Sequence, residues 1–136
     1  MSTLILDASV ILAAFDRDDA LHKPARAVLS DSAVTLAILD LARYEVTNVA
    51  IRAWRAPDSV LPLLEVIERI ANDGGVLLST NTLLIRAAQL AEEHTLSAYD
   101  AAYVAAAAQT GGKLVSCDMR DLVSKGLANT PAGVLS

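Results

Sequence analysis

The sequence predicts an α/β protein with a central, mostly parallel sheet of four to five short strands flanked by helices. Short apolar runs alternate with longer stretches of helical periodicity along the 136 residues. Strands separated by helices pair in parallel through right-handed crossovers. Alanine is also frequent, which favours helix. No repeat, linker or change of composition interrupts this pattern, so residues 1–136 are predicted to form a single domain.

The strands are predicted from short apolar runs bounded by polar or turn residues. They lie over residues 4–6, 34–37, 76–78 and 113–116, with a last strand over 133–135. The first run ends at Asp7, and the fourth leads to Asp118. The carboxyl ends of parallel strands form one edge of a sheet, where ligands bind in proteins of this class.

The helices are predicted from apolar residues that recur every three or four positions. They cover a stretch after Ser9 and about residues 22–29, 41–54, 60–72, 81–93 and 98–109, with a short one after Asp118. Asp40 and Ser97 are predicted to cap the third and the sixth helix, because their side chains can accept hydrogen bonds from free backbone N–H groups. Pro57 ends the third helix.

Composition excludes several classes of protein. The 11 basic and 16 acidic side chains leave a net charge of −5, which argues against a basic nucleic-acid coat but not against a nuclease. The longest apolar run, 101–108, is far shorter than the ~20 residues that span a bilayer. The first residues do not resemble a signal peptide, so we expect a cytoplasmic protein with no membrane association. One cysteine excludes an internal disulfide.

Four carboxylates do not fit a solvated surface. Asp7 and Asp118 follow predicted strands and therefore lie at the same edge of the sheet. Asp100 lies in the first turn of a helix that consists mostly of alanine, and Glu45 lies among the apolar residues of its helix. A buried, isolated carboxylate is costly, so each of them must be paired, protonated or bound to a metal.

Each of the four also has a structural alternative. The three aspartates would stabilise helix N-termini by capping or through the helix dipole, and Glu45 would pair with Arg43 or Arg52. Their combination is harder to explain in this way, because carboxylates that converge in a half-buried pocket repel one another. Oxygen ligands without histidine or cysteine suit Mg²⁺ or Mn²⁺ better than zinc. The sequence therefore favours a site for a hard cation.

The chain resembles the PIN-domain ribonucleases, and most closely the VapC toxins of prokaryotic toxin–antitoxin pairs. The resemblance is carried by LILDASVILAAF near the start, LARYEVTNVA in the middle and LSAYDAAYVAAAAQTGGKLVSCDMRDL near the end. The last segment is the most specific, because Tyr-Asp-Ala is followed by a helix of small residues, glycine, an apolar strand and aspartate. The resemblance covers residues 4–122 and implies a three-layer PIN-like fold.

The resemblance also implies roles for individual residues. Catalytic and metal-binding roles fall on four acidic residues, Asp7, Glu45, Asp100 and Asp118. Supporting roles fall on four more, Ser9, Asn48, Ser116 and Asp121, the last as an outer carboxylate. All four acidic positions of the family are filled, so nothing in the sequence indicates an inactive relative.

The implied activity is that of an endoribonuclease that depends on Mg²⁺ or Mn²⁺ and hydrolyses tRNA, rRNA or mRNA with an activated water. The implied partners are a cognate antitoxin and a second copy of the chain in a homodimer. One alternative is a catalytically silent PIN-like module that binds protein or RNA. Another is a Mg²⁺-binding receiver-type phosphotransfer domain, which is disfavoured because the strand over 76–78 ends in Ser79-Thr80 and not in a carboxylate.

Overall fold

A parallel sheet of four short strands lies at the centre of the computed structural model, which describes residues 3–135. The strands are β1 (Thr3–Leu6), β2 (Thr35–Leu39), β3 (Val76–Leu77) and β4 (Lys113–Val115). Their order in the sheet is β3-β2-β1-β4, and every neighbouring pair is parallel. Strands β1 and β2 are almost wholly buried, which explains why both are continuous apolar runs instead of alternating ones.

Six α-helices flank the sheet. They are α1 (Ala8–Phe15), α2 (His22–Leu29), α3 (Leu41–Asn48), α4 (Val60–Asp73), α5 (Asn81–His94) and α6 (Ala98–Thr110). The side chain of Ser97 accepts a hydrogen bond from the N–H of Asp100, so its predicted role as the cap of α6 is confirmed. Gly111 ends this helix in the left-handed conformation, which glycine adopts without steric cost.

Helix α6 is the element that places Asp100 against the sheet. It packs on β1, on β4 and along α5. Its buried residues are alanines apart from one tyrosine, and small side chains let neighbouring backbones approach closely. The alanine face of α6 is therefore covered by α5 and the sheet within the same chain.

The predicted cap of α3 is wrong. The backbone of Asp40 is already helical, so its side chain does not reach the free N–H groups of the first turn. Its carboxylate accepts hydrogen bonds from the N–H and the hydroxyl of Ser79 instead, at 2.9 and 2.5 Å. Asp40 follows β2 and Ser79 lies just beyond β3, so the bond joins the ends of two paired strands. The helix itself extends as far as predicted, although Val49–Ala53 form a π-helical turn.

The predicted last strand over 133–135 is also wrong. Ala132–Val134 form a 3₁₀ turn directly after Pro131, whose fixed φ suits the start of a helical turn. Asn129 bonds to the edge of β4 instead, through Asn129 N–H to Leu114 O at 2.8 Å and Ser116 N–H to Asn129 O at 2.9 Å. The short helix predicted after Asp118 is present as a π-helical turn over Met119–Val123.

None of the helices between residues 3 and 135 combines the length and the apolar character needed to cross a membrane. The organisation of residues 1–136 as a single domain stays a prediction.

Candidate metal centre

Two of the predicted site residues lie at the carboxyl edge of the sheet. Asp7 directly follows β1, and its N–H donates to the carbonyl of Val115 on β4 at 3.2 Å. Asp118 lies three residues beyond the end of β4. Because β1 and β4 are parallel neighbours, both aspartates lie at the same edge, as the sequence predicts.

Three carboxylates form a compact group at this edge. One oxygen each from Asp100, Asp118 and Asp121 lies within 4.8 Å of the other two, and all three residues are half-buried. Asp100 comes from the first turn of α6, whereas the other two come from the turn that follows β4. The Oδ1 atom of Asp118 accepts a hydrogen bond from the N–H of Asp121 at 3.0 Å, which fixes this turn. Asp121, predicted only as a supporting residue, is thus one of the three.

The hydroxyl groups of Ser9 and Ser116 form a series of contacts between Asp7 and Asp118. The N–H of Ser9 donates to Oδ1 of Asp7 at 3.0 Å, and the Ser9 hydroxyl donates to the same oxygen. Ser9 Oγ accepts the N–H of Cys117 at 2.9 Å and lies 3.4 Å from the hydroxyl of Ser116. Ser116 is fully buried, and its Oγ accepts the N–H of Asp118 at 2.9 Å. Ser9 and Ser116, which are predicted to support the acidic cluster, therefore contact it.

Asp7 is the most buried of the acidic side chains, with only 5% of its surface exposed. The pKa of its carboxyl is raised from 3.8 to about 6, mainly by burial and to a smaller extent by the nearby charge of Glu45. Hydrogen bonds from Ser116 and Ser9 act in the opposite direction. Without a cation, the ionised form of Asp7 is therefore unfavourable in this site.

Glu45 contacts a tyrosine and not an arginine. The hydroxyl of Tyr103, on α6, donates to Oε1 of Glu45 at 2.6 Å. The predicted alternative, a pair with Arg43 or Arg52, is wrong, because both arginines are exposed and neither forms an ion pair with Glu45 in the described chain. Burial and the charge of Asp100 raise the pKa of Glu45, whereas the bond from Tyr103 lowers it.

The acidic residues at this edge of the sheet repel one another electrostatically. Glu45 raises the pKa of Asp7, and Asp100 raises that of Glu45. Burial raises the pKa of Asp100 most strongly, and repulsion from Asp118 and Asp121 adds to it. Asp7 and Glu45 lie outside the compact group of three, yet both interact electrostatically with their neighbours in this series. The five carboxylates form one region of negative charge.

Two positive side chains lie beside this region. Lys125 lowers the pKa of Asp100, and its Nζ atom donates to the carbonyls of His94 and Thr95 at 2.8 and 3.2 Å. Arg120 lies 4.0 Å from Asp121, but its side chain is 93% exposed, so this pair contributes little to stability. The remaining predicted residue, Asn48, is exposed at the last position of α3 and makes no side-chain hydrogen bond to any described residue.

Sequence reasoning missed Tyr103. Its spacing held the relevant information, because position 103 lies three residues after Asp100 and therefore on the same side of α6. It is also the only aromatic side chain among the buried residues of α6, which are otherwise alanines. The identity of its partner, Glu45 on α3, depends on how segments 58 residues apart fold together and is not visible in the sequence.

The residues present fit a divalent cation. The group of three offers only carboxylate oxygens, which Mg²⁺ and Mn²⁺ prefer. Its members are half-buried, and their mutual repulsion would be relieved by positive charge between them.

We expect Asp100→Asn to raise the thermal stability of the metal-free protein. Its raised pKa means that the surroundings oppose the charge at this position. Removing an unfavourable charge commonly adds ~0.5–2 kcal/mol, and at roughly 4 °C per kcal/mol for a domain of this size Tm should rise by about 2–8 °C. Thermal unfolding in EDTA measures the change. A fall in Tm would show that Asp100 stabilises α6 through the helix dipole more than it is repelled by its neighbours.

Comparison with known proteins shows the family. The family model described as PIN domain matches residues 4–124 of the chain. The chain therefore belongs to the PIN domain family, and the resemblance seen in the sequence is confirmed. Over 126 residues it is 37% identical to Ribonuclease VapC3 of Pyrobaculum aerophilum, a match that covers 90% of this chain and 93% of that protein.

Solved structures support the fold. The crystal structure of VapC20 of Mycobacterium tuberculosis, described as a sarcin-ricin loop cleaving toxin, superposes with a TM-score of 0.76 at 16% identity. That match covers 90% of this chain and 95% of VapC20. A toxin–antitoxin complex from Klebsiella pneumoniae matches with a TM-score of 0.69 at 18% identity, over 94% of this chain and 97% of the other. The predicted PIN-like α/β fold is thus confirmed.

Proposed function

We propose that the protein is an endoribonuclease that depends on a divalent metal ion and acts as the toxin of a toxin–antitoxin pair. The observation that carries the proposal is the group of three carboxylates, Asp100, Asp118 and Asp121, at the carboxyl edge of the sheet. Family membership and 37% identity to a protein named as a ribonuclease support the assignment of this group to RNA hydrolysis.

The cation would be held by carboxylates from four segments of the fold: the end of β1, α3, α6 and the turn after β4. Asp7, Asp100 and Asp118 are the proposed ligands, with Glu45 bound directly or through water and Asp121 as a further ligand. Mg²⁺ is the proposed ion, and Mn²⁺ is the proposed substitute. When bound, such an ion lowers the pKa of a water molecule and neutralises charge on the scissile phosphate.

The chain's own residues prepare this edge of the sheet for the reaction. Ser9 and Ser116 orient Asp7 and the turn at Asp118 through hydrogen bonds, so that these carboxylates need not rearrange when a cation binds. Attack by water in line with the leaving oxygen would leave a 5′-phosphate and a 3′-hydroxyl. We propose this route over attack by the RNA 2′-hydroxyl, which needs a general acid and a general base. The two histidines of the sequence do not form such a pair, because His22 bonds to the carbonyl of Ala13 and His94 lies 3.8 Å from Glu93.

Lys125 and Arg120 are the proposed contacts to the RNA backbone. Lys125 influences the pKa of Asp100, and Arg120 lies beside Asp121, so both are close to the acidic group. Phosphate contacts from lysine and arginine position a nucleic acid without reading its sequence. Such contacts compensate locally for the net charge of −5, which opposes non-specific RNA binding.

The proposed partners follow from the relatives. The similar structure from Klebsiella pneumoniae is a toxin–antitoxin complex, which supports a cognate antitoxin for this protein as well. We further propose a homodimer, a cytoplasmic location, and a substrate among tRNA, rRNA and mRNA.

Incubation of the antitoxin-free protein with total RNA and a panel of tRNAs tests the proposed activity. Each reaction is run with Mn²⁺, with Mg²⁺ and with EDTA, and the product ends are mapped. We expect discrete cuts that require metal and leave 5′-phosphates. Cuts that persist in EDTA, or ends that carry a cyclic phosphate, would contradict the proposed route. Folded protein that binds Mn²⁺ but cuts no RNA would favour a catalytically silent binding module.

A further inference from the structure

Tyr103 is a buried residue with a direct bond to the acidic region. Only 2% of its surface is exposed, and its hydroxyl donates to Oε1 of Glu45 at 2.6 Å. The two residues are 58 positions apart in the sequence, on α6 and α3. Tyr103 lies one turn after Asp100 on α6, so the helix that carries one carboxylate of the compact group also carries the donor to Glu45.

The hydroxyl of Tyr103 is not needed to fill the space that its ring occupies. The other buried residues of α6 are alanines, and a phenylalanine at position 103 would fill the same space. Glu45 has no other side-chain hydrogen bond among residues 3–135, because the arginines of its own segment point to solvent. Glutamate has three rotatable bonds, whereas the buried tyrosine ring is held by its surroundings. The hydroxyl therefore restricts a carboxylate that would otherwise be free to turn.

We infer that Tyr103 is a positioning residue for the metal centre. Its hydroxyl holds Oε1 of Glu45 and leaves the second oxygen of that carboxylate available to a cation or to water bound to it. It also couples Glu45 on α3 to the helix that carries Asp100, so that the two carboxylates keep a fixed relation. The inference rests on the proposed function, because it assigns Glu45 to the cation.

Calorimetric titration with Mn²⁺ alone, in the absence of RNA, tests the role of Tyr103. Tyr103→Phe keeps the ring and removes the hydroxyl, and we expect Kd for Mn²⁺ to rise about 10-fold, as for other groups that orient a metal ligand. Tyr99→Phe is the matched control, because Tyr99 lies on the same helix but is 63% exposed. That control is expected to bind Mn²⁺ as the wild type does.

A double-mutant cycle separates positioning from a general structural effect. In a Glu45→Gln background no ionised carboxylate remains to be positioned, so Tyr103→Phe should then change Kd by less than about twofold. An equal loss of affinity in both backgrounds would overturn the inference, and so would wild-type affinity in Tyr103→Phe. In either case Mn²⁺ still binds the wild type, so the proposed function stands. A wild type that binds no Mn²⁺ would instead overturn both.

A spectroscopic measurement covers the case in which Tyr103→Phe does not fold. Mg²⁺ binding at Glu45 should perturb the ultraviolet absorption of the tyrosine that contacts it. We expect a tyrosine difference spectrum when Mg²⁺ is added to the wild type and to Tyr99→Phe, and its loss in Glu45→Gln. A difference spectrum that survives in Glu45→Gln, or is absent from the wild type while Mg²⁺ binds, would contradict the role of Tyr103.

Discussion

Asp7→Asn is expected to lower the rate of metal-dependent RNA cleavage by roughly 100-fold or more, because it removes the charge of a proposed metal ligand. Asp7 is the only buried acidic residue between residues 3 and 135. The asparagine retains an oxygen at the position that accepts the N–H of Ser9, so the start of α1 should stay capped. The loss should therefore be one of activity and not of folding.

The measurement is cleavage of the RNA that the wild type cuts, in Mg²⁺ and in Mn²⁺, with both proteins prepared identically. Asp31→Asn is the matched control. Like Asp7, Asp31 accepts a hydrogen bond from the backbone N–H two residues later, here that of Ala33, but it lies in an exposed loop. We expect this control to retain wild-type activity. An Asp7→Asn variant that cleaves within a few-fold of the wild type would show that the buried carboxylate is not a ligand. Equal residual cleavage in all three proteins with EDTA would indicate a contaminating nuclease.

The metal-free protein is expected to lose about 3 kcal/mol of unfolding free energy between pH 4 and pH 7 because of Asp7. The carboxyl has a pKa of about 6 in the folded protein, against 3.8 in the unfolded chain. Between these values the folded state holds a proton that the unfolded state has released, so stability falls as the pH rises. Each pH unit in this interval costs about 1.4 kcal/mol, and the loss ends once the pH exceeds the folded pKa.

Urea unfolding in EDTA at a series of pH values measures this loss. Other carboxylates contribute too, so the informative quantity is the difference between the wild type and Asp7→Asn. The variant should be more stable than the wild type above pH 6, and the difference should shrink towards pH 4 as Asp7 becomes protonated. A difference that does not change with pH would show that Asp7 is ionised freely in the folded protein. Added Mn²⁺ should stabilise the wild type at pH 7, because it binds the ionised form.

Much of the fold could be predicted because buried parallel strands appear in a sequence as short, continuous apolar runs. The apolar runs that became β1 and β2 are continuous and end at polar residues, and Ser97 and Gly111 mark the ends of α6. The placement of Asp7 and Asp118 at one edge followed from this pattern alone. Glu45 and Asp100 stand out in the sequence because they lie among small or apolar residues of predicted helices, and the family resemblance then assigns all four residues to one site.

The remaining details depend on contacts between segments that are distant in the chain. Asp40 has the sequence context of a helix cap, but its partner Ser79 is 39 residues away on the neighbouring strand. The apolar pattern over 133–135 predicts a last strand, but Asn129 is the residue that bonds to the edge of β4. No local pattern distinguishes these cases from ordinary caps and strands.

The composition of the acidic region was predicted less well than its position. Asp121 joins the compact group because Asp118 accepts its N–H and holds the turn, a geometry set by a π-helical segment that periodicity does not reveal. Glu45 accepts a bond from Tyr103 and does not form the arginine pair that was its structural alternative, because the arginines of that segment are exposed. The meeting of Tyr103 and Glu45 is decided by the three-dimensional arrangement of α3 and α6, which are distant in the sequence.

The central claim is that the carboxylates at this edge bind a divalent cation. The most direct test is calorimetric titration of Mn²⁺ into the wild type and into Asp118→Asn at pH 7, with Asp31→Asn as the control. We predict saturable binding that Mg²⁺ displaces in the wild type and the control, and a Kd at least about 10-fold higher in Asp118→Asn. Absence of saturable binding to the folded wild type, or equal affinity in Asp118→Asn, would contradict the claim.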